Sequence, residues 1–234
     1  MNKEAVLYAT VAHAAYLSQC NDKNFRLTAK FENKATDTQG IVGEAFGDSF
    51  VVAFRGSEET GLADWITDLK FIPAVYPYGP PGDTSMQVHS GFLGAYRSVR
   101  ESVISMAKEN RCQKVVTVGH SLGGALAVLA ALDITFNVPG KTVSCYTFGA
   151  PKIGNASFAK AYQQRVKQTY RFVNGSDVVP SCPPGNFAHV GELCCIGNAT
   201  DQEWSWTEVV NVVMDKIEDH LPHNYIKVLR DLIK

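Results

Sequence analysis

The serine in Gly119-His120-Ser121-Leu122-Gly123 is the residue of this chain best placed to act as a nucleophile. A serine hydroxyl reacts poorly until a base takes its proton, and that base, usually histidine, needs a carboxylate to orient it. Lys114 to Val118 before the pentapeptide is β-branched and predicts a buried strand. Leu122 to Leu132 after it is rich in Ala and Leu and predicts a helix. A strand turning sharply into a helix at a serine strains that residue and lifts its hydroxyl clear of the sheet. Glycines two before and two after are then required, because a side chain there would strike the adjoining strand and helix. The start of the helix aims free N–H groups at any oxyanion that develops.

The acid and the base must follow Ser121 if the chain order is that of such a strand–turn–helix site. Asp177 lies in the turn after the apolar stretch Tyr170–Val173, at a strand's C-terminal edge, where catalytic groups gather in open α/β sheets. Position alone leaves it equally readable as a turn residue serving the local backbone. Asp133, Asp201, Asp215 and Asp219 read as helix-cap or surface groups. Of the downstream histidines, His189 begins an apolar strand in Phe187 to Gly191 and reads as structural. His220 precedes the last helix in a loop able to bring its ring to the turn, and His223 is the reserve candidate. His120 reads as packed beside the site, and His89 as ordering the loop before Gly91. One oxyanion donor would be the N–H of Leu122; Ser57, after Phe54-Arg55-Gly56, is placed for the second.

Five segments together resemble the class 3, fungal-type triacylglycerol lipases of the α/β-hydrolase fold. They are Val51 to Ser57 with Ala63 to Leu69, Val88 to Tyr96, Gly119 to Ala125, Tyr146 to Asn155, and Arg171 to Pro180. The resemblance implies a Ser121, Asp177, His220 triad and an oxyanion position at Ser57. It also implies a short lid near residues 60–68, in which Leu62, Trp65 and Ile66 share one face; the alternative is a fixed helix with its Trp in the core. The expected activity is hydrolysis of acylglycerol or similar lipid esters through an acyl-enzyme, without cofactor or metal. Phospholipase A or feruloyl-type aryl esterase activity would use the same fold and triad. A lipase-like binding module without turnover is the reading from another class.

The elements needed to hold such a site are legible as alternating strands and helices. Gly40–Phe46 and Ser49–Phe54 flank a Gly47-Asp48 turn; Gly91 to Ala107 is helical with Ser90 as its cap. Thr142–Phe148 is a strand, Gly154 to Val166 a helix, Gln168–Val173 a strand, and Pro222 to Ile233 a final helix facing inward with Tyr225, Ile226, Leu229 and Ile233. Pro73 to Gly82 reads as a loop. The N-terminus reads as an amphipathic helix packed by Val6, Ala9, His13, Tyr16 and Leu17 rather than as a signal peptide. The expected architecture is one α/β domain over residues 1–234, a mostly parallel sheet with helices on both faces.

At 45% apolar and 19% charged, the 234 residues suffice for a sizeable core, and a formal charge of −1 without a Lys/Arg cluster argues against nucleic acid as partner. No apolar run suits a membrane helix. The six cysteines form no metal-binding spacing and permit fifteen disulfide connectivities; Cys145, in an apolar strand, reads as a buried thiol, and a reduced, cytoplasmic setting is the expectation, with secretion left open.

Overall fold

The alternation of apolar and helical stretches forms a seven-stranded sheet covered on both faces. The computed structural model describes residues 3–57, 66, 70–200, 203–212 and 217–234. In chain order the elements are α1 (Lys3–Leu17), β1 (Phe25–Asn33), β2 (Thr38–Ala45), β3 (Ser49–Phe54), β4 (Pro73–Val75), β5 (Gln87–His89) and α2 (Ser90–Glu109). There follow β6 (Lys114–His120), α3 (Leu122–Asn137), β7 (Thr142–Phe148), α4 (Ala156–Arg165) and β8 (Gln168–Asn174). A short 3₁₀ turn (Val179–Ser181), β9 (Glu192–Ile196), α5 (Trp206–Val212), α6 (Ile217–His220) and α7 (Pro222–Asp231) complete the order.

The main sheet runs β1-β2-β3-β6-β7-β8-β9. β1, β2 and β3 pair antiparallel, and every pairing from β3 to β9 is parallel. In β6 all residues after Lys114 are buried, as expected of a parallel strand covered on both faces. Alternate residues feed two cores. Val115 and Phe54 pack with α2, α3 and α4; Val116, Val118, Phe148 and Phe172 pack with α1 and α7. α3 is buried from Gly123 through Ile134, so its apolar character runs round the whole helix rather than along one stripe. All parallel strands therefore deliver their C-terminal ends to one edge of the sheet.

Several expectations need correction. Phe46 leaves the strand: with Gly47 it takes positive φ (53° and 79°) and makes the hairpin turn. β1 and β9 add two strands that short apolar alternation had hidden, and β4 forms within the stretch read as a loop. Residues 187–191 form no strand and make only an isolated bridge between Ala188 and Gly154. The cap of α2 is His89, not Ser90, because its imidazole reaches the Phe92 N–H. α4 starts at Ala156 because Asn155 caps it, accepting from Phe158 N at 2.9 Å. α1 is covered around most of its circumference; Ala5, Leu7, Tyr8, Val11 and Ala12 are buried, whereas Leu17, expected inward, is 56% exposed. Ile233 lies beyond the end of α7 and is exposed.

Asp133 is neither a cap nor a surface group. Its side chain is fully buried in α3 and accepts from Arg100 Nε at 2.6 Å and Tyr96 Oη at 2.7 Å, tying α3 to α2. Asp133→Ala would leave the half-buried guanidinium without its carboxylate. The expected loss is about 3 kcal/mol of unfolding free energy, measured by urea denaturation.

Candidate active site

β6 ends at a strained turn. Ser121 has φ 55° and ψ −130°, a region that non-glycine residues rarely occupy, between the strand and the first residue of α3. Crossing this closely is possible only where side chains are missing. A Cβ at Gly119 would collide with the Gly123 carbonyl, and one at Gly123 with the Phe54 carbonyl. Ser121 N donates to Phe148 O at 2.9 Å, fixing the turn to the end of β7. At Gly56, beyond the end of β3, a Cβ would come within 3.2 Å of Ser121 Cβ. The loop carrying half-buried Ser57 therefore approaches the serine from one side, and Leu122 opens α3 on the other. First-turn N–H groups of a helix lack intrahelical acceptors and are available to an anion.

The acid and base expected from sequence come together. His220, at the end of α6, has Nδ1 2.8 Å from Asp177 Oδ2 and 3.0 Å from Oδ1. Both side chains are buried. Asp177 Oδ1 also accepts from Val179 N at 2.9 Å, and Oδ2 from the Tyr225 hydroxyl at 2.6 Å. A carboxylate accepts from every partner, so the network assigns the imidazole hydrogen to Nδ1 and leaves a lone pair on Nε2. His220 Nε2 and Ser121 Oγ are both buried with no hydrogen-bond partner among the described residues. Such an arrangement can pass the serine proton to Nε2 and offer backbone N–H groups to the oxygen of an attacked carbonyl.

Sequence reasoning missed several residues that hold this pair. Sequence periodicity makes Tyr225 one apolar residue on an inward stripe. Its hydroxyl also accepts from Asn174 N at 3.1 Å, and burial followed by the Asp177 charge raises it well above the usual phenol range, so it remains a donor. Asp219, read as a surface group, accepts from Ser176 N at 2.7 Å, while its carbonyl accepts from Asn174 Nδ2 at 2.9 Å. It ties the turn carrying Asp177 to the segment carrying His220. Gly149 has φ 60°, and a Cβ there would stand 2.6 Å from Asp177 Oδ2 and 2.9 Å from His220 Nδ1. The only sequence signals were a buried tyrosine that must satisfy its hydroxyl and a glycine after an apolar strand.

The remaining candidates lie elsewhere. His189 Nε2 lies 2.7 Å from Pro180 O, burial lowers its pKa to about 3, and it does not join the pair. His223 is exposed on α7. Leu62, Trp65, Asp201 and Asp215 lie outside the described residues. Ile66 is fully buried in an apolar cluster with Val178, Val179, Cys182 and Val209, just after the acid. All six cysteines are free thiols; buried Cys145 is pushed up to about 11 by desolvation. Among the described residues, no group of three or more His, Cys, Asp and Glu is placed to hold a metal ion.

Tyr225→Phe removes one donor from a buried carboxylate and one acceptor from a buried N–H. It is expected to cost about 1–3 kcal/mol in chemical denaturation. Gly149→Ala pushes a methyl group between acid and base, and should slow Ser121 labelling by a fluorophosphonate by on the order of 10².

A family model described as Lipase (class 3) matches residues 51–187. The lipase of Rhizomucor miehei is 39% identical over 168 residues, which are 67% of this chain and 44% of that protein. A secreted mono- and diacylglycerol lipase of Fusarium solani is 33% identical over 166 residues, 68% of this chain and 47% of that protein. The chain thus spans less than half the length of these curated relatives. The crystal structure of the lipase from Rhizopus microsporus var. chinensis superposes with a TM-score of 0.76 at 28% identity, covering 94% of this chain and 85% of that one. The sheet and its helices are those of the α/β-hydrolase fold of the fungal lipases. By the extent of the family match, the chain belongs to the class 3 lipases.

Proposed function

We propose that this chain hydrolyses carboxylic esters of acylglycerol type through an acyl-enzyme on Ser121. The observation carrying this reading is the buried Asp177–His220 pair, whose Nε2, like the Ser121 hydroxyl on its strained strand-to-helix turn, has no hydrogen-bond partner among the described residues. Ser121 Oγ attacks the ester carbonyl while His220 Nε2 takes its proton. The oxyanion rests on the N–H groups of Leu122 and Ser57. His220 then gives the proton to the leaving alkoxide, which departs as alcohol. Water attacks the acyl-serine next, losing its proton to His220, and collapse returns that proton to Ser121 with release of the carboxylic acid.

Acylglycerols are the proposed substrate class because the relatives in Rhizomucor and Fusarium are named for lipase and mono- and diacylglycerol lipase activity. The whole chain acts as one catalytic domain in this reading, with residues 60–68 as a lid. Burial of Ile66 with Val178 and Val179 supports this reading, since that apolar contact could be exchanged for an oil surface. No helix among the described residues is long and apolar enough to cross a membrane. The cytoplasmic expectation finds no support in the relatives; the Fusarium protein is named as secreted, and secretion is proposed in its place.

Ser121→Ala should lower hydrolysis of p-nitrophenyl butyrate by up to the order of 10⁶ while the protein stays folded by circular dichroism. Substantial residual turnover in folded protein would remove Ser121 from the mechanism. His220→Ala should be nearly inactive and His223→Ala close to the parent, and the opposite pattern would move the base onto α7. Graded p-nitrophenyl esters, triolein emulsions and phosphatidylcholine vesicles together test the substrate class. Preference for emulsified triolein supports acylglycerols, whereas preference for the vesicles points to a phospholipase and for aryl esters to an esterase.

A further inference from the structure

His120 immediately precedes the serine at the end of β6, and both of its ring nitrogens are engaged. Nε2 lies 2.5 Å from the main-chain carbonyl of His220, and Nδ1 lies 2.8 Å from the hydroxyl of Tyr16 on α1. A carbonyl only accepts, so Nε2 carries the hydrogen and Nδ1 accepts from the tyrosine. The ring is buried, and its centroid is 4.5 Å from that of His220. Burial and the neighbouring His220 hold its pKa well below the usual imidazole range, so it remains neutral beside a base that must itself become charged. Close approach of α1 needs Gly56, where a Cβ would collide with the Tyr16 hydroxyl.

We propose that His120 is a positioning residue whose Nε2–H fixes the main chain of His220 against the serine turn, with the Tyr16 hydroxyl, donating to Nδ1, supporting the tautomer that the carbonyl requires. The inference rests on the triad reading above. Asp177 orients the His220 ring from one end, through Nδ1, and His120 anchors its backbone from the other. Because 120 and 121 are consecutive, the registry between nucleophile and base is set at a single strand end. The N-terminal helix is thereby coupled to catalysis through Tyr16.

The test uses the full chain, p-nitrophenyl butyrate and a fluorophosphonate probe. His120→Phe keeps a ring but no donor; kcat should fall by about 10- to 100-fold through misplacement of the base, with KM nearly constant. In His120→Gln the amide can donate to the same carbonyl, and kcat should recover to within about fivefold of the parent. Tyr16→Phe should lower kcat a few-fold, again at constant KM. Full kcat in folded His120→Phe, or equal loss in the Gln and Phe variants, would overturn the proposal. Should the Phe variant not fold, the other two decide: Tyr16→Phe at parental kcat, or His120→Gln slower than Tyr16→Phe by more than tenfold, would overturn it. Labelling separates this from failure of the triad itself. Undiminished labelling of Ser121→Ala would contradict the triad, whereas slow but saturating labelling of Ser121 in His120→Phe supports the positioning role.

Discussion

The hydrogen bond between the buried Asp177 carboxylate and His220 Nδ1 is the interaction around which the site is built. A carboxylate without solvent is costly to bury unless its oxygens are satisfied, and here four contacts from three residues satisfy them. Those contacts come from separate parts of the chain. Val179 belongs to the 3₁₀ turn after β8, Tyr225 to α7, and His220 to the end of α6. Folding must bring all three to one point, and the docking of the C-terminal helices supplies two of them, Tyr225 and His220, to Asp177.

Sterics decide how close the remaining parts come. The turn at Ser121 places an unfavourable φ at a non-glycine residue, at a cost of about 1–3 kcal/mol. Packing around it keeps the turn in place: β6 is buried on both sides, α3 all round, and Ser121 N is bonded to β7. Missing side chains at Gly56, Gly119, Gly123 and Gly149 let the loops, the helix and the acid–base pair approach as near as they do. Strain and close approach thus occur together, at the edge where the parallel strands end.

Legibility in the sequence followed the range of the interactions. The turn was readable because its geometry is local: glycines at fixed offsets between a β-branched run and an Ala/Leu run have one steric explanation. Asp177 was readable as a turn position and His220 as the residue before the last helix, although His220 ends α6 rather than lying in a loop; the family resemblance is what favours an acid over a turn aspartate. The second layer was not readable. Tyr225 and Asp177 stand 48 positions apart and Tyr16 and His120 stand 104 apart, and no periodicity announces contacts across such separations. Asp133 and Asp219 were misread for the same reason, since an acid on a helix looks like a cap until its partner is known. The face of α1 was misjudged because a helix buried on most sides carries no usable stripe.

The central claim is that Asp177 holds His220 with its hydrogen on Nδ1, leaving Nε2 to take the serine proton. Nitrogen-15 NMR of histidine-labelled protein tests it directly, at a pH where the imidazole is neutral, with His220→Ala used to assign the signal. The account predicts a protonated Nδ1 and an unprotonated Nε2 for His220 in the parent, and a shift toward the opposite tautomer in Asp177→Asn, whose amide would donate to the ring. An Nε2-protonated His220 in the parent, or a tautomer unchanged by Asp177→Asn, would contradict it.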